Sequence, residues 1–349
     1  MKIAHYAPFA PNACGLYEAA RDMIVADGQS GLSSCLVDTG ITVDGDRRNT
    51  PGEAGKVDER GGTEIVTVTP EEALSADVIV AHTGIPDNWI VGSQSPIIWI
   101  LHGRPAACFI PEQYDRGSSY TLISKIAKWS RIKTMVTFWP YHMLFWKAII
   151  SEEKLVCFDA PPIDGDRFSP DGKKHEFKVT GEINVVFADT PREDINPFEV
   201  IHGALEVARY RADVVFHFYG LPNPLKCWEV LLLQFKHLNV LGDVWARKTD
   251  MEEVFRAADL VVSPHRITTR IIGEALSCGT PVIAANGCEF ATWTCDPNNP
   301  EDVASTIKVA INQLVDKSGI VTKRVRQAAE KFSLENYNKR MKVVYEGIL

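Results

Sequence analysis

The densest run of residues able to do chemistry lies between 258 and 284. Ala258-Asp259-Leu260-Val261-Val262-Ser263-Pro264 reads as a strand with a polar stop, and His265 to Arg270 as a loop. Ile271-Ile272-Gly273-Glu274-Ala275-Leu276-Ser277 reads as a helix, ended by Cys278-Gly279-Thr280 and followed by a strand, Pro281-Val282-Ile283-Ala284. Thr268 or Thr269 is placed to cap this helix and Gly279 to end it. Amides at a helix start, with the helix dipole behind them, favour an anion. Arg266 and Arg270 flank that start, and a guanidinium there suits phosphate. Glu274 lies about one turn inside. A carboxylate at that point can accept hydrogen bonds from a ribose while amides near Thr269 and Arg270 hold a diphosphate. The plainer role for Glu274 is a pair with Arg270, which at i, i+4 in this order stabilises by about a few tenths of a kcal/mol. His265 has no comparable case.

These residues need a scaffold, and the alternation of short apolar runs with helical patterns supplies one, an α/β fold with parallel sheets. In the first half, strands are expected at Lys2–Tyr6, Ser34–Val37, Glu64–Val68, Val78–Ala81, Ile97–Leu101 and Thr134–Thr137. The stretch from Gly40 to Gly62 reads as loop or irregular excursion. The pattern breaks at Pro161-Pro162-Ile163-Asp164-Gly165-Asp166, and the polar run through Lys174 reads as a linker. A second series then has strands at Asn184–Phe187, Val214–Phe218, Val240–Leu241, Leu260–Val262 and Pro281–Ala284, with helices at Pro197–Tyr210 and Met251–Ala258 and a last helix from about Leu334 to Leu349. Parallel sheets bind ligands outside the carboxyl ends of their strands. By that rule His102, after the fifth of the first-half strands, has a site position. Gly15, after the first, is either a tight turn or a close backbone approach to phosphate. His5 and His82 read as structural or peripheral.

Here the sequence resembles the family 4 glycosyltransferases, which have the GT-B fold. The 258–284 segment looks like their donor-site signature. Asn12-Ala13-Cys14-Gly15-Leu16 sits at their glycine-rich loop, and Ile100-Leu101-His102-Gly103 resembles their strand-end histidine motif. Pro161 to Pro170 looks like their interdomain linker, and Val240-Leu241-Gly242, Ala257-Ala258-Asp259 and Ala329-Glu330-Lys331-Phe332-Ser333 follow in order. The resemblance implies two Rossmann-like domains facing a cleft. Residues 1–163, with the C-terminal helix 334–349 crossing back, would bind the acceptor; residues 164–333 would bind a nucleotide sugar. It also implies retention of anomeric configuration, no metal and no cofactor beyond the donor, a UDP- or GDP-sugar. His102 and Arg192 would then be catalytic, and Gly15, Arg192, Arg266, Thr268, Thr269, Arg270 and Glu274 would bind the donor. Two departures stand out. The family has two glutamates with seven residues between them in the donor segment; Glu274 matches the second, but Arg266 holds the first position. The family's arginine and lysine after the first strand of the second domain correspond to Arg192 and to Ile195 or Asn196.

Composition narrows the classes further. The chain has 349 residues, ample for two domains, and a formal net charge of −8, which gives a general nucleic-acid role no support. Its eight cysteines are scattered without Cys-x-x-Cys spacing, so free thiols in a reducing compartment are expected. Residues 1–6 run straight into strand-like sequence, and no apolar run approaches the ~20 residues of a membrane span. A cytoplasmic protein able to touch a membrane surface is expected. Between Arg104 and Lys147, seven basic residues interleave with aromatics. These read either as a solvated face over core aromatics or as a surface for an anionic acceptor, lipid-linked or nucleic acid. Two rivals to a transferase remain, a nucleotide-sugar epimerase on the same fold and a non-catalytic nucleotide-sugar-binding protein.

Arg266 yields a test. A carboxylate accepts hydrogen bonds from sugar hydroxyls, whereas a guanidinium only donates and suits an acidic sugar or the diphosphate. Wild type should favour a uronic-acid donor over its neutral hexose counterpart, and Arg266→Glu should lose that preference. Identical ranking of the two donors by both proteins would remove Arg266 from donor choice.

Overall fold

Strands buried on both faces are mostly apolar, and the central strands here are, apart from His5, Asn184 and His217. A computed structural model describes residues 1–7, 15–38, 54–82, 90, 93–102, 124–138, 140–188, 198–220, 229–245, 250–263, 269–315 and 319–348. Its elements, in chain order, are β1 (Lys2–Tyr6), α1 (Gly15–Gln29), β2 (Ser33–Val37), β3 (Val57–Arg60), β4 (Thr63–Val68), α2 (Pro70–Ala73), β5 (Val78–Ala81), β6 (Ile97–Leu101), β7 (Ile132–Thr137), α3 (Met143–Lys147) and β8 (Leu155–Cys157). There follow β9 (Ile183–Phe187), α4 (Phe198–Ala208), β10 (Val214–Tyr219), α5 (Glu229–His237), β11 (Leu241–Trp245), α6 (Met251–Ala257), β12 (Leu260–Val262), α7 (Arg270–Ser277), β13 (Val282–Ala285), β14 (Trp293–Cys295), α8 (Pro300–Val315), α9 (Ile320–Ala329) and α10 (Leu334–Glu346). The chain divides into two compact units, Met1–Asp164 with Ser333–Leu349, and Gly165–Phe332.

The first unit is a sheet in the order β3-β4-β2-β1-β5-β6-β7-β8. Every pairing is parallel except β3 with β4. All residues of β5 and β6 are buried, Trp99 among them, and each such aliphatic side chain contributes about 1.5–3 kcal/mol. In α10, Leu334, Tyr337, Met341, Val344 and Tyr345 are buried, the spacing of one helical face. Ser333 caps this helix by accepting from the Asn336 amide at 3.2 Å.

β3 lies inside the stretch read from sequence as irregular. Its residues Val-Asp-Glu-Arg show no apolar alternation. It is held by a two-residue turn at Gly61-Gly62, both glycines at positive φ, the geometry a tight hairpin needs. Arg60 then pairs with Asp22 at 2.9 Å and Glu18 at 2.8 Å on α1, and Asp58 pairs with Arg21. The glycine pair was the available signal. The three-residue strands β8 and β14 also went unread, both too short to show a period.

The second unit is an all-parallel sheet in the order β11-β10-β9-β12-β13-β14. Its core joins β9, β10 and β12 to α4 and α8 through residues such as Phe216, Phe218, Phe235 and Ile307. Where the apolar pattern stopped at Leu241, β11 in fact continues to Trp245, because its buried Asp243 is satisfied. Asp243 accepts from His175 Nε2 at 2.9 Å, the Lys178 amide at 3.1 Å and the Tyr219 hydroxyl at 3.3 Å. Burial works to raise its pKa, but the hydrogen bonds from His175, Lys178 and Trp245 and the nearby His217 hold it below the usual value. Among the described residues, Cys35, Cys157, Cys278, Cys288 and Cys295 are free thiols, and burial pushes Cys278 and Cys295 up to about 12.

His217, wholly buried in β10, fits only as a neutral ring. Its Nδ1 accepts the Asp243 amide at 3.1 Å while its Nε2 faces Asn184 Oδ1 at 3.3 Å. Burial drives its pKa from 6.5 down to about 4. Below pH 6.5 the unfolded chain takes up a proton that the folded chain refuses, so stability falls as the pH drops and levels off below about pH 4. The gap is worth roughly 3 kcal/mol. Urea midpoints measured from pH 7.5 to 4 should fall steadily below pH 6.5. A flat profile there would show that His217 is protonated in the folded chain.

Candidate functional site in the second unit

β9 and β12 lie side by side, Phe187 partnering Val262 at their carboxyl ends. From β9 the chain winds out through β10 to β11, and from β12 through β13 to β14. The strand order therefore reverses between these two neighbours, the kind of switch point at which parallel sheets bind ligands. Three polar atoms belong to the segments that meet it. Ser263 Oγ directly follows β12, Thr269 Oγ1 begins α7, and Glu199 Oε2 stands in the first turn of α4. Each is buried and has no hydrogen-bond partner. An unsatisfied buried polar atom costs about 1–3 kcal/mol, and such atoms at one strand edge are what a polar ligand would satisfy.

α7 starts at Thr269, whose φ of −78° and ψ of 167° make it the N-cap. Its side chain makes no capping hydrogen bond. This corrects the expectation that a threonine hydroxyl closes the helix start. The first intrahelical bond runs from the Gly273 amide to the Thr269 carbonyl at 3.3 Å, so the amides of Arg270, Ile271 and Ile272 precede the ladder. Arg270 Nε lies 2.6 Å from Glu274 Oε1, and both side chains are only 12% exposed. The plain ion pair thus forms, and Arg270 is not a solvated surface arginine. Its guanidinium also lies 5.9 Å from the centre of the Phe168 ring. The helix ends as expected. Gly279, at φ +83°, donates to the Leu276 carbonyl at 3.0 Å, and the Thr280 amide donates to Ala275 at 2.9 Å.

Thr269, Arg270 and Glu274 are thus brought together on the first turn and a half of one helix. Arg192, Arg266 and Thr268, with His265, lie outside the described residues. Gly15 and His102 belong to the first unit. Gly15 is the exposed first residue of α1. His102 follows β6 at its carboxyl end and packs against Phe138, ring centres 5.7 Å apart.

Sequence reasoning missed Ser263 and Glu199. Of the two readings of His5 and His82, structural or peripheral, the structural one holds, since both are fully buried. His82 Nδ1 lies 3.1 Å from His102 Nε2, and His5 Nδ1 lies 2.9 Å from His82 Nε2. The available signal was a histidine inside an apolar parallel strand, Lys2-Ile3-Ala4-His5-Tyr6. In the basic-aromatic stretch, Phe138 and Trp146 are buried in the core. Arg131 donates to the carbonyls of Ile90 and Ser93, and Lys147 pairs with Glu152 at 2.5 Å. Lys125, Lys128 and Lys133 are exposed; Arg104, Arg116 and Trp139 lie outside the described residues. Among the described residues, no helix is long and apolar enough to cross a membrane.

The comparisons agree with this geometry. Residues 198–313, from α4 to near the end of α8, match the family model described as Glycosyl transferases group 1. No curated protein sequence matches the chain. Among solved structures, HepE from Anabaena in complex with UDP and glucose is 14% identical with a TM-score of 0.70, covering 99% of each chain. Sucrose-phosphate synthase from Thermosynechococcus elongatus is 14% identical with a TM-score of 0.71, covering 99% of this chain and 98% of its own. WaaG, a glycosyltransferase involved in lipopolysaccharide biosynthesis, is 13% identical with a TM-score of 0.69, covering 97% and 98%. The fold is therefore GT-B, built from two Rossmann-like units.

Glu274→Gln should weaken binding of a nucleoside diphosphate about tenfold to a hundredfold, the about 1.5–3 kcal/mol of a hydrogen bond to a charged group. The thermal midpoint of the free protein should fall by a few degrees at most, since the amide oxygen of the variant can still accept from Arg270. Calorimetric titration with UDP checks the first and a melt the second; unchanged affinity would take Glu274 out of the site.

Proposed function

We propose that the chain is a glycosyltransferase that moves a sugar from a nucleotide-sugar donor, UDP-glucose or a close relative, to an acceptor. The observation that carries this reading is the amino end of α7. Its leading amides, the carboxylate of Glu274 one turn inside, and the unpartnered Ser263 and Thr269 hydroxyls lie at the switch point of an all-parallel sheet. The match of residues 198–313 to a glycosyltransferase family model supports it, as do HepE structures holding UDP and UDP-glucose. In this reading the second unit takes the donor, with Glu274 on the ribose and the helix amides on the diphosphate. The first unit takes the acceptor.

The leaving group is a diphosphate, and its developing charge needs fixed donors. Amides at a helix start supply them without a metal. Arg270, Arg192 and Arg266 are the cations assigned to the same task. With the leaving phosphate able to take the acceptor proton, transfer would proceed with retention. Arg266, where the resembling family has a glutamate, also keeps a non-catalytic binder as a second reading.

In a thermal-shift screen, UDP and UDP-glucose should raise the melting midpoint by a few degrees at about 100 times the dissociation constant, equivalent to about 2.7 kcal/mol. Incubation with UDP-glucose, with and without acceptor sugars, should release UDP, and turnover should persist in a chelator. Binding without UDP release would identify a binder, conversion of the donor alone an epimerase, and turnover lost in chelator but restored by a divalent ion a metal-dependent enzyme.

A further inference from the structure

A hollow of about 340 Å³ lies beside β14, the last strand in the sheet of the second unit, and is bordered by α8 and α9. It stands two strands along from β12 and shares no lining residue with the start of α7. Its polar and aromatic lining comes from three elements. Thr292, Trp293 and Thr294 belong to the sheet edge, Ser305 and Thr306 to α8, and Arg324 to α9. Trp293 packs against the core of the unit, and its Nε1 donates to Gln313 Oε1 of α8 at 2.9 Å. Thr292 is only 3% exposed. Its amide donates to the Val282 carbonyl at 2.8 Å, and its hydroxyl oxygen accepts the Val282 amide at 3.1 Å. The ring and this hydroxyl are therefore held in place by the sheet and by α8.

The remaining polar groups are uncommitted. Among the described residues, the hydroxyls of Thr294, Ser305 and Thr306 and the guanidinium of Arg324 make no hydrogen bond or ion pair. Arg324 is exposed, at the rim. The charge around it has one sign. α9 carries Lys323, Arg324 and Arg326 and no acidic residue, and none of the residues lining the hollow is acidic.

We propose that this hollow is a second ligand site, taking a monosaccharide that carries one anionic group. A guanidinium only donates, and it matches the oxygens of a phosphate or carboxylate. A hydroxyl both donates and accepts, so Thr294, Ser305 and Thr306 can serve the anion or the hydroxyls of a sugar ring. Trp293 adds a flat, rigid surface for the apolar face of such a ring, with polar groups around its edge. The volume is at the small end of the about 300–1,000 Å³ of ligand pockets, room for one ring rather than a chain. A bare anion would leave Trp293 without a partner, and a neutral sugar would leave Arg324 without one. An anionic monosaccharide meets both. Because the tryptophan and Thr292 are fixed beforehand, little ordering is needed on binding. The site does not depend on the transferase reading and uses none of the residues assigned to the donor.

Calorimetric titration of the full-length protein with glucose 6-phosphate, glucuronic acid, glucose and inorganic phosphate tests the proposal. At least one of the two anionic sugars should bind saturably, one per chain, with glucose and inorganic phosphate each at least about tenfold weaker, the order of one hydrogen bond to a charged group. Arg324→Ala should weaken the anionic sugar about tenfold or more, and Thr306→Val about threefold to tenfold. Both positions are on helix surfaces, and an unchanged melting midpoint checks that the variants fold. In protein labelled with 15N-tryptophan, the indole signal assigned to Trp293 by comparison with Trp293→Phe should shift as the sugar is added. Glu274→Gln should leave this binding as it was. Absence of saturable binding by both anionic sugars, inorganic phosphate or glucose binding as tightly as they do, or an affinity untouched by Arg324→Ala overturns the site. So does binding lost in Glu274→Gln with the Trp293 signal unmoved, which would place the ligand at α7. Failure of UDP to bind, with these results as expected, would sink the transferase reading and leave the second site standing.

Discussion

A charge taken out of water must be met by hydrogen bonds, and each unit of this protein contains a buried aspartate that imposes the requirement. In the first, Asp27 gathers His5 from β1, Ser34 from β2 and Tyr345 from α10. The donors come from residues far apart in the chain. Meeting them ties the first strand to the last helix, so the final segment belongs to the unit that begins the chain. In the second, Asp243 draws in His175 and the Lys178 amide from the segment ahead of β9, and Tyr219 from β10. The carboxylate is in each case accepted only because a histidine and a tyrosine reach it. Removing one donor would leave a buried charge short of a partner, which costs more than the hydrogen bond contributes.

The same rule read in reverse locates the site. Where buried polar atoms are satisfied, as at Asp27 and Asp243, the network is closed and holds the fold. In the second unit, unsatisfied atoms of Ser263, Thr269 and Glu199 fall on segments that follow the carboxyl ends of β9 and β12. A parallel sheet collects such ends along one edge, and the strand order reverses between β9 and β12. The ion pair of Arg270 with Glu274 belongs to both descriptions. It neutralises two charges near the helix start, and it fixes the carboxylate proposed to meet a ribose.

The legible parts were those whose physics is local. Apolar runs marked the boundaries of β1, β5, β6 and β12 to the residue, because a strand buried on both faces is made mostly of apolar residues. The N-terminal signal of α7 and its glycine stop were visible for the same reason. The side chain of Thr269 departed from its expected capping role, since a hydroxyl cannot be followed from sequence once burial decides where it points. β3 escaped because its stability comes from Arg60 reaching Asp22 and Glu18 across 38 and 42 residues, and a charged tetrapeptide carries no period to read.

By itself the sequence determined the α/β class and the bounds of β1, β5, β6 and β12, and it pointed to the residues of α7 proposed to meet a nucleotide sugar. All of these follow from short-range periodicity and turn chemistry. Only the tertiary structure decided that His5 and His82 stand in line with His102, and that Tyr345 closes the file at Asp27. Those contacts span 77, 20 and 318 residues, and hydrogen bonds of about 3 Å between such distant residues exist only once the strands are laid side by side and the last helix is packed.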